Sequence, residues 1–247
     1  MAKKQTTVVA RRDFIKSGSA AALMLASGAP MACGASRGRD GVCAITPTYQ
    51  DGPFYINTIE LGLERRDVTE GLAGSPLMIR MLLVDASTDA CEPLQNVAVD
   101  IWSASPDGLY SGVDNSIALA DGPNTEGTTY MRGHQISNED GEVVFDSLFP
   151  GWYEVTPPHI HFTIPFPDGK GYTWQLFLTD DFSERVYTTI EPYKQRGAHP
   201  VRTSRQRRLP DALIVTPSGT PEASIIDVVV GIDMDDLEKR ADEYTPR

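Results

Sequence analysis

Six short runs constrain the fold more than any other feature of this chain. PLMIRMLLVD (76–85), NVAVDIWSA (96–104), GEVVFDSL (141–148), HIHFTIPF (159–166), TWQLFLT (173–179) and ASIIDVVVGID (223–233) are rich in Val, Ile and aromatic residues, with Gly- and Pro-bearing turns between them. Runs of this kind read as strands. No convincing amphipathic helix of three turns stands ahead of the charged tail MDDLEKRADEY (234–244). The crossover helices of a doubly wound parallel sheet therefore have no sequence to occupy. The expected fold is all-β, an antiparallel β-sandwich with long active-site loops and little helix. One segment, 111–133, is long, polar and without period, and loops of that length inside a compact domain are often functional.

The N-terminus differs from the rest. Residues 1–36 carry Lys3, Lys4, Arg11, Arg12 and Lys16 against Asp13 alone, a net of +4 in a chain of net charge −12, which leaves −16 for the remainder. An acidic body of that kind argues against a nucleic-acid partner. SGSAAALMLASGAPMA (17–32) is too short and too rich in small residues to span a bilayer, but it suits the apolar stretch of an export signal. ARRDFIK (10–16) resembles a twin-arginine signal, so the export machinery of that route is an expected partner and the mature chain is expected outside the cytoplasm. PMAC, ending at Cys33, raises lipid anchoring as the minority alternative, since Pro30 stands where a lipoprotein site usually has Leu. The expected organisation is a signal over 1–36, a linker and pocket-approach loop over 37–60, and a β-sandwich catalytic domain over 61–247. Cys43 and Cys91 then remain as a pair, which in an oxidising compartment suggests a disulfide; two separate thiols stay open, as does a homo-oligomer.

Two of the four histidines, His159 and His161, sit one residue apart in an apolar run. A strand turns residues i and i+2 to one face, so both imidazoles would need buried partners. A metal ion satisfies both together. Only His134 and His199 remain, too few for a histidine-rich copper cluster; no Glu follows the pair as a cupin site would require, and the cysteines are scattered. Tyrosine is the unusual donor. DGLYSG places Tyr110 in a Gly-flanked turn, and PGWY places Tyr153 six residues before His159. A phenol titrates near pH 10, so only strong positive charge keeps it ionised at neutral pH, and a trivalent ion such as Fe(3+) supplies it.

Taken together these pieces resemble the intradiol ring-cleavage dioxygenases, in particular an exported, single-domain bacterial branch. CAITPTYQDGPFYI, CEPLQNVAVDIWSASPDGLYSG, YMRGHQISNEDGEVVFDSLFPGWY, HIHF, TWQLFL and RVYTTIEPYKQRG match that pattern in order. The resemblance implies Fe(3+) held by Tyr110, Tyr153, His159 and His161, with Tyr153 as the ligand that leaves when substrate binds. It places Gln175 near the oxygen-reacting face, Arg132 at a recurring arginine, and Phe54 and Tyr55 on the pocket. The implied reaction is cleavage of a catechol between its hydroxyl-bearing carbons by O2, giving a cis,cis-muconate-type diacid. The family's arginine between the second tyrosine and the histidine pair is replaced here by Thr156. Losing a cation aimed at developing charge costs on the order of 10²–10³ in rate. Two rivals remain on these residues: a zinc hydrolase recruiting His134 or His199, and a non-catalytic sandwich that binds aromatics.

Overall fold

Pro76–Asp85 forms β1, and its burial alternates as its side chains do, with Leu77, Ile79, Met81 and Leu83 turned inward. Each such side chain contributes about 1.5–3 kcal/mol on leaving water. The other strands are β2 (Ala98–Ser103), β3 (Arg132–Ile136), β4 (Glu142–Leu148), β5 (His159–Pro165), β6 (Gly171–Leu178), β7 (Ile214–Val215), β8 (Ser218–Thr220) and β9 (Ala223–Ile232). They build a four-stranded sheet, β4-β1-β9-β8, and a five-stranded sheet, β3-β2-β5-β6-β7. This computed structural model describes residues 43–117, 122–153, 155–165 and 171–237. Residues 1–36, with the twin-arginine motif and Cys33, lie outside the described residues, as does most of the charged tail. No helix among the described residues is long and apolar enough to cross a membrane.

The sandwich core is shared by both sheets. Ile79, Leu83, Val143, Phe145 and Ile226 come from one sheet, and Val99, Ile101, Ile160, Phe162, Trp174 and Leu176 from the other. Because strands alternate, the opposite face of the five-stranded sheet carries Asp100 and Trp102 of β2, Arg132 and His134 of β3, His159 and His161 of β5, and Gln175 of β6. These residues are buried too, since residues 43–65, 108–117 and 122–131 include segments that pack over them.

The expected β-sandwich with little helix is present, and three details add to it. The sheets are mixed rather than purely antiparallel, because β1 pairs parallel with β9 and β6 with β7. A helix is present, α1 (Asp180–Thr189), whose buried Phe182, Ser183, Val186 and Tyr187 form one i, i+4 face. Its Phe182 stacks on Phe149. The stretch 43–60, expected as linker and loop, is bound to the sandwich as a strap. Thr46 N–H donates to Gly231 O and Tyr49 N–H to Thr173 O, each at 2.8 Å. A disulfide joins Cys43 to Cys91, with Cα atoms 5.7 Å apart.

Candidate metal centre

The four expected ligands come from three places in the chain. His159 and His161 share a face of β5, as spacing of two requires. Tyr110 follows the turn after β2, and Tyr153 follows the loop after β4. Those two loops meet through glycine. Gly151 N–H donates to Ser105 O at 3.0 Å, and a Cβ at Gly151 would overlap the Pro106 carbonyl. Gly108, at φ +80°, would likewise collide with Trp152 O. Only glycine permits both the conformation and the approach.

The donor atoms converge. Tyr110 Oη lies 3.3 Å from Tyr153 Oη, from His159 Nε2 and from His161 Nε2. Tyr153 Oη is 3.4 Å from His159 Nε2, and the two Nε2 atoms are 2.9 Å apart. All four residues are buried, Tyr110 to 1% exposure and Tyr153 to 8%.

Hydrogen bonds fix the donor chemistry. His159 Nδ1 lies 2.7 Å from Pro157 O; a carbonyl only accepts, so Nδ1 carries the proton and Nε2 presents its lone pair inward. His161 Nε2, 2.9 Å from that lone pair, either donates its own proton to it or shares a cation with it. Atoms about 2.0–2.1 Å from one ion are spaced roughly 2.8–3.5 Å from one another, which the observed spacings match. His161 is set by its stack on Trp102, 4.6 Å between centroids and 11° between planes. Its Nδ1 has no hydrogen-bond partner among the described residues.

Burial alone works against charged ligands here. It pushes the Tyr110 phenol well up, reinforced by Tyr153 and opposed by Arg132. It pushes Tyr153 up to about 12. It holds His159 down at about 4, against the Pro157 hydrogen bond, and drives His161 well below its ordinary range. Neutral imidazoles suit a metal directly; the phenols need a bound cation to ionise.

A cavity of about 460 Å³ opens onto this centre, lined among others by Gln50, Phe54, Tyr153, Thr156, His159, His161 and Gln175. Tyr110 lies behind it, stacked on Phe54 at 4.6 Å. Gln175 pairs with His161 across β5 and β6 and donates from Nε2 to Gln50 O at 2.7 Å. Thr156 is half-buried on the cavity wall, bridged to Tyr153.

Two expected pocket residues lie elsewhere. Tyr55 does not line the cavity; its hydroxyl donates to Asp100 Oδ2 at 3.0 Å. Arg132, opposite Trp102 in the β2–β3 ladder, folds onto Ser111, with Nη2 and Nε at 2.8 and 3.1 Å from Ser111 O. Burial lowers its guanidinium to about 10. Among the described residues, no Lys or Arg lines the cavity. His134 and His199 are not brought to the pair either: His134 Nδ1 meets Thr58 Oγ1 at 3.1 Å, and His199 Nε2 meets Asp180 Oδ1 at 3.2 Å. A three-histidine zinc site is therefore not assembled among the described residues.

Sequence reading missed Asn115. Buried in the loop after Tyr110, it accepts from Tyr110 N–H at Oδ1 and donates to Tyr110 O from Nδ2, both at 2.8 Å. Nothing in the local sequence distinguishes it from its polar neighbours. Asp100 also escaped notice, although a carboxylate inside the apolar run VAVDIW was a legible signal.

No family model matches the chain. It is 24% identical over 171 residues to a chlorocatechol 1,2-dioxygenase from Cupriavidus pinatubonensis, covering 59% of this chain and 61% of that one. Similarity to a chlorocatechol 1,2-dioxygenase of a Pseudomonas species is 27% over 123 residues, 46% and 47% of the two chains. The matches thus span less than two thirds of the curated relatives' length. Among solved structures, an intradiol ring-cleavage dioxygenase from Tetranychus urticae superposes with a TM-score of 0.62 at 24% identity, over 77% of this chain and 95% of that one. The chain shares the fold of an intradiol ring-cleavage dioxygenase and is similar in sequence to chlorocatechol 1,2-dioxygenases. A second solved dioxygenase superposes with a TM-score of 0.60 at 25% identity, over 76% of this chain and 95% of that one.

Proposed function

We propose that this chain is an iron(III)-dependent intradiol dioxygenase that cleaves a catechol-type diol with O2 to a cis,cis-muconate-type diacid, both oxygen atoms entering the product. The observation that carries this reading is the convergence of two phenol oxygens and two imidazole nitrogens within 2.9–3.4 Å of one another at the floor of a cavity. Tyr110, Tyr153, His159 and His161 would hold the ion. A ferric ion held there supplies the electron-accepting character that opens a catechol ring to O2.

The protein's own groups divide the remaining work. Pro157 O and the Trp102 ring orient the two imidazoles, as partners beyond the ligands do in other metal sites. Of the two tyrosines at the centre, Tyr153 is the one that lines the cavity, so its Oη is the group placed to take a proton from an incoming diol. Tyr110, sealed behind Phe54, stays in place. The strap and the loop around Thr156 wall the cavity and limit water.

Export of the mature chain, through the twin-arginine route, is part of the proposal and rests on the sequence of residues 1–36. A second reading, binding of catechols without turnover, draws on the absence of Lys and Arg from the described cavity lining and on Thr156. Metal analysis, the visible spectrum and oxygen uptake on exported, untagged protein test both. Stoichiometric iron, a red-brown tyrosinate-to-iron absorption and oxygen uptake with catechol are expected. Tight catechol binding by iron-loaded protein with zero uptake would favour the second reading, and a colourless protein holding one zinc would refute the first. Tyr110→Phe with Tyr153→Phe should abolish both iron occupancy and colour.

A further inference from the structure

Asp100 is fully buried in the middle of β2, and its carboxylate has no Lys or Arg within salt-bridge distance among the described residues. Its three hydrogen bonds come from a single four-residue stretch of the strap. Tyr55 Oη donates to Oδ2 at 3.0 Å, Thr58 N–H to Oδ2 at 3.2 Å, and Thr58 Oγ1 to Oδ1 at 2.9 Å. That hydroxyl proton cannot be given twice, so His134, at 3.1 Å from Thr58 Oγ1, donates from Nδ1. Burial raises the Asp100 carboxyl and these hydrogen bonds oppose it.

What this carboxylate holds is the cavity wall. Upstream, the strap is fixed at Tyr49 N–H to Thr173 O and at Gln50 O by Gln175. Downstream, it is fixed at Tyr55 and Thr58. Between these anchorages Asp51–Phe54 forms an arch along the cavity, its first three residues exposed on the outside and Phe54 packed on Tyr110. The Tyr55 ring rests on Trp102 at 4.9 Å, and Trp102 stacks on His161. One buried carboxylate thus tethers the segment that packs on Tyr110 directly and on His161 through Trp102.

We propose that Asp100 is a positioning residue: through Tyr55 and Thr58 it holds the arch at 51–54 over the metal centre and so sets affinity for the diol. The affinity part rests on the function proposed above; the tethering part does not.

The test pairs Tyr55→Phe with Thr58→Val and reads amide hydrogen exchange in metal-free protein and steady-state kinetics with catechol in iron-loaded protein. Exchange at positions 49 and 58, the strap amides that donate to Thr173 O and Asp100 Oδ2, should accelerate about tenfold or more for each hydrogen bond lost to a charged acceptor, with β5 and β6 unchanged. KM should rise about threefold to tenfold with kcat held within about twofold, as expected when binding rather than chemistry is impaired. Unchanged exchange at positions 49 and 58, uniform acceleration across β5 and β6, or faster exchange in the strap with unchanged KM would each overturn the proposal. Tyr55→Phe alone keeps the ring on Trp102 and gives the same readout if the double variant does not fold. Should wild-type iron-loaded protein fail to turn over catechol, the catalytic reading falls, and the exchange pattern alone decides the tether.

Discussion

Replacing Asn115 with Ala strikes the metal centre without touching a ligand. The side chain makes two 2.8 Å hydrogen bonds to the Tyr110 backbone and a third, from Nδ2, to Thr125 Oγ1 at 3.2 Å. Tyr110 O keeps a second partner in Thr125 Oγ1, but among the described residues Tyr110 N–H has none besides Asn115 and would be left buried and unpaired. An orphaned buried donor costs about 1–3 kcal/mol, and each further lost hydrogen bond about 0.5–1.5 kcal/mol. A destabilisation of about 2–6 kcal/mol follows for the metal-free protein, measurable by urea titration at constant m-value. Because the loss falls on Tyr110, iron per chain and the visible absorption should fall with it. Asn115→Asp keeps the acceptor for Tyr110 N–H but turns an oxygen toward Tyr110 O, so it should rescue little. If Asn115→Ala unfolds within about 0.5 kcal/mol of wild type, the range of ordinary surface substitutions, the clamp is not holding Tyr110 and the reasoning fails.

Thr156→Arg should return a cation to the cavity wall and raise kcat/KM for catechol by about 10–10²-fold, measured by oxygen uptake; unchanged or lower activity would show that this position does not face developing charge. Metal-free protein should lose stability as pH falls from about 6.5 to about 4. His159 titrates at about 4 when folded, below its ordinary value, so over that interval the unfolded chain binds more protons and folding loses about 3 kcal/mol. Urea titrations at pH 7, 5.5 and 4.5 measure this, and His159→Gln should flatten the slope.

The legible parts were those encoded by local period. β1 spans the run read as a strand because its alternation needs only its own residues, and the imidazoles meet because spacing of two needs only a strand. The tyrosines were legible as residue types in a Gly-flanked context, while their convergence depends on Gly108 and Gly151 bringing two loops together. The parallel pairing of β1 with β9 joins segments some 150 residues apart, and no local pattern announces it. α1 was hidden because its apolar face is two i, i+4 pairs, Phe182 with Val186 and Ser183 with Tyr187, one of them half polar. Arg132 was read for its charge, but its direction is set by Ser111 across the fold.

The alternation along β5 couples two properties usually thought of separately. Ile160, Phe162 and Ile164 fill the space between the sheets while His159 and His161 serve the outer face. Deleting one residue there would hand the imidazoles to the oil and the isoleucines to the cavity. Chemistry on this scaffold can therefore be revised by exchange at alternate positions, and hardly at all by changing the strand's length.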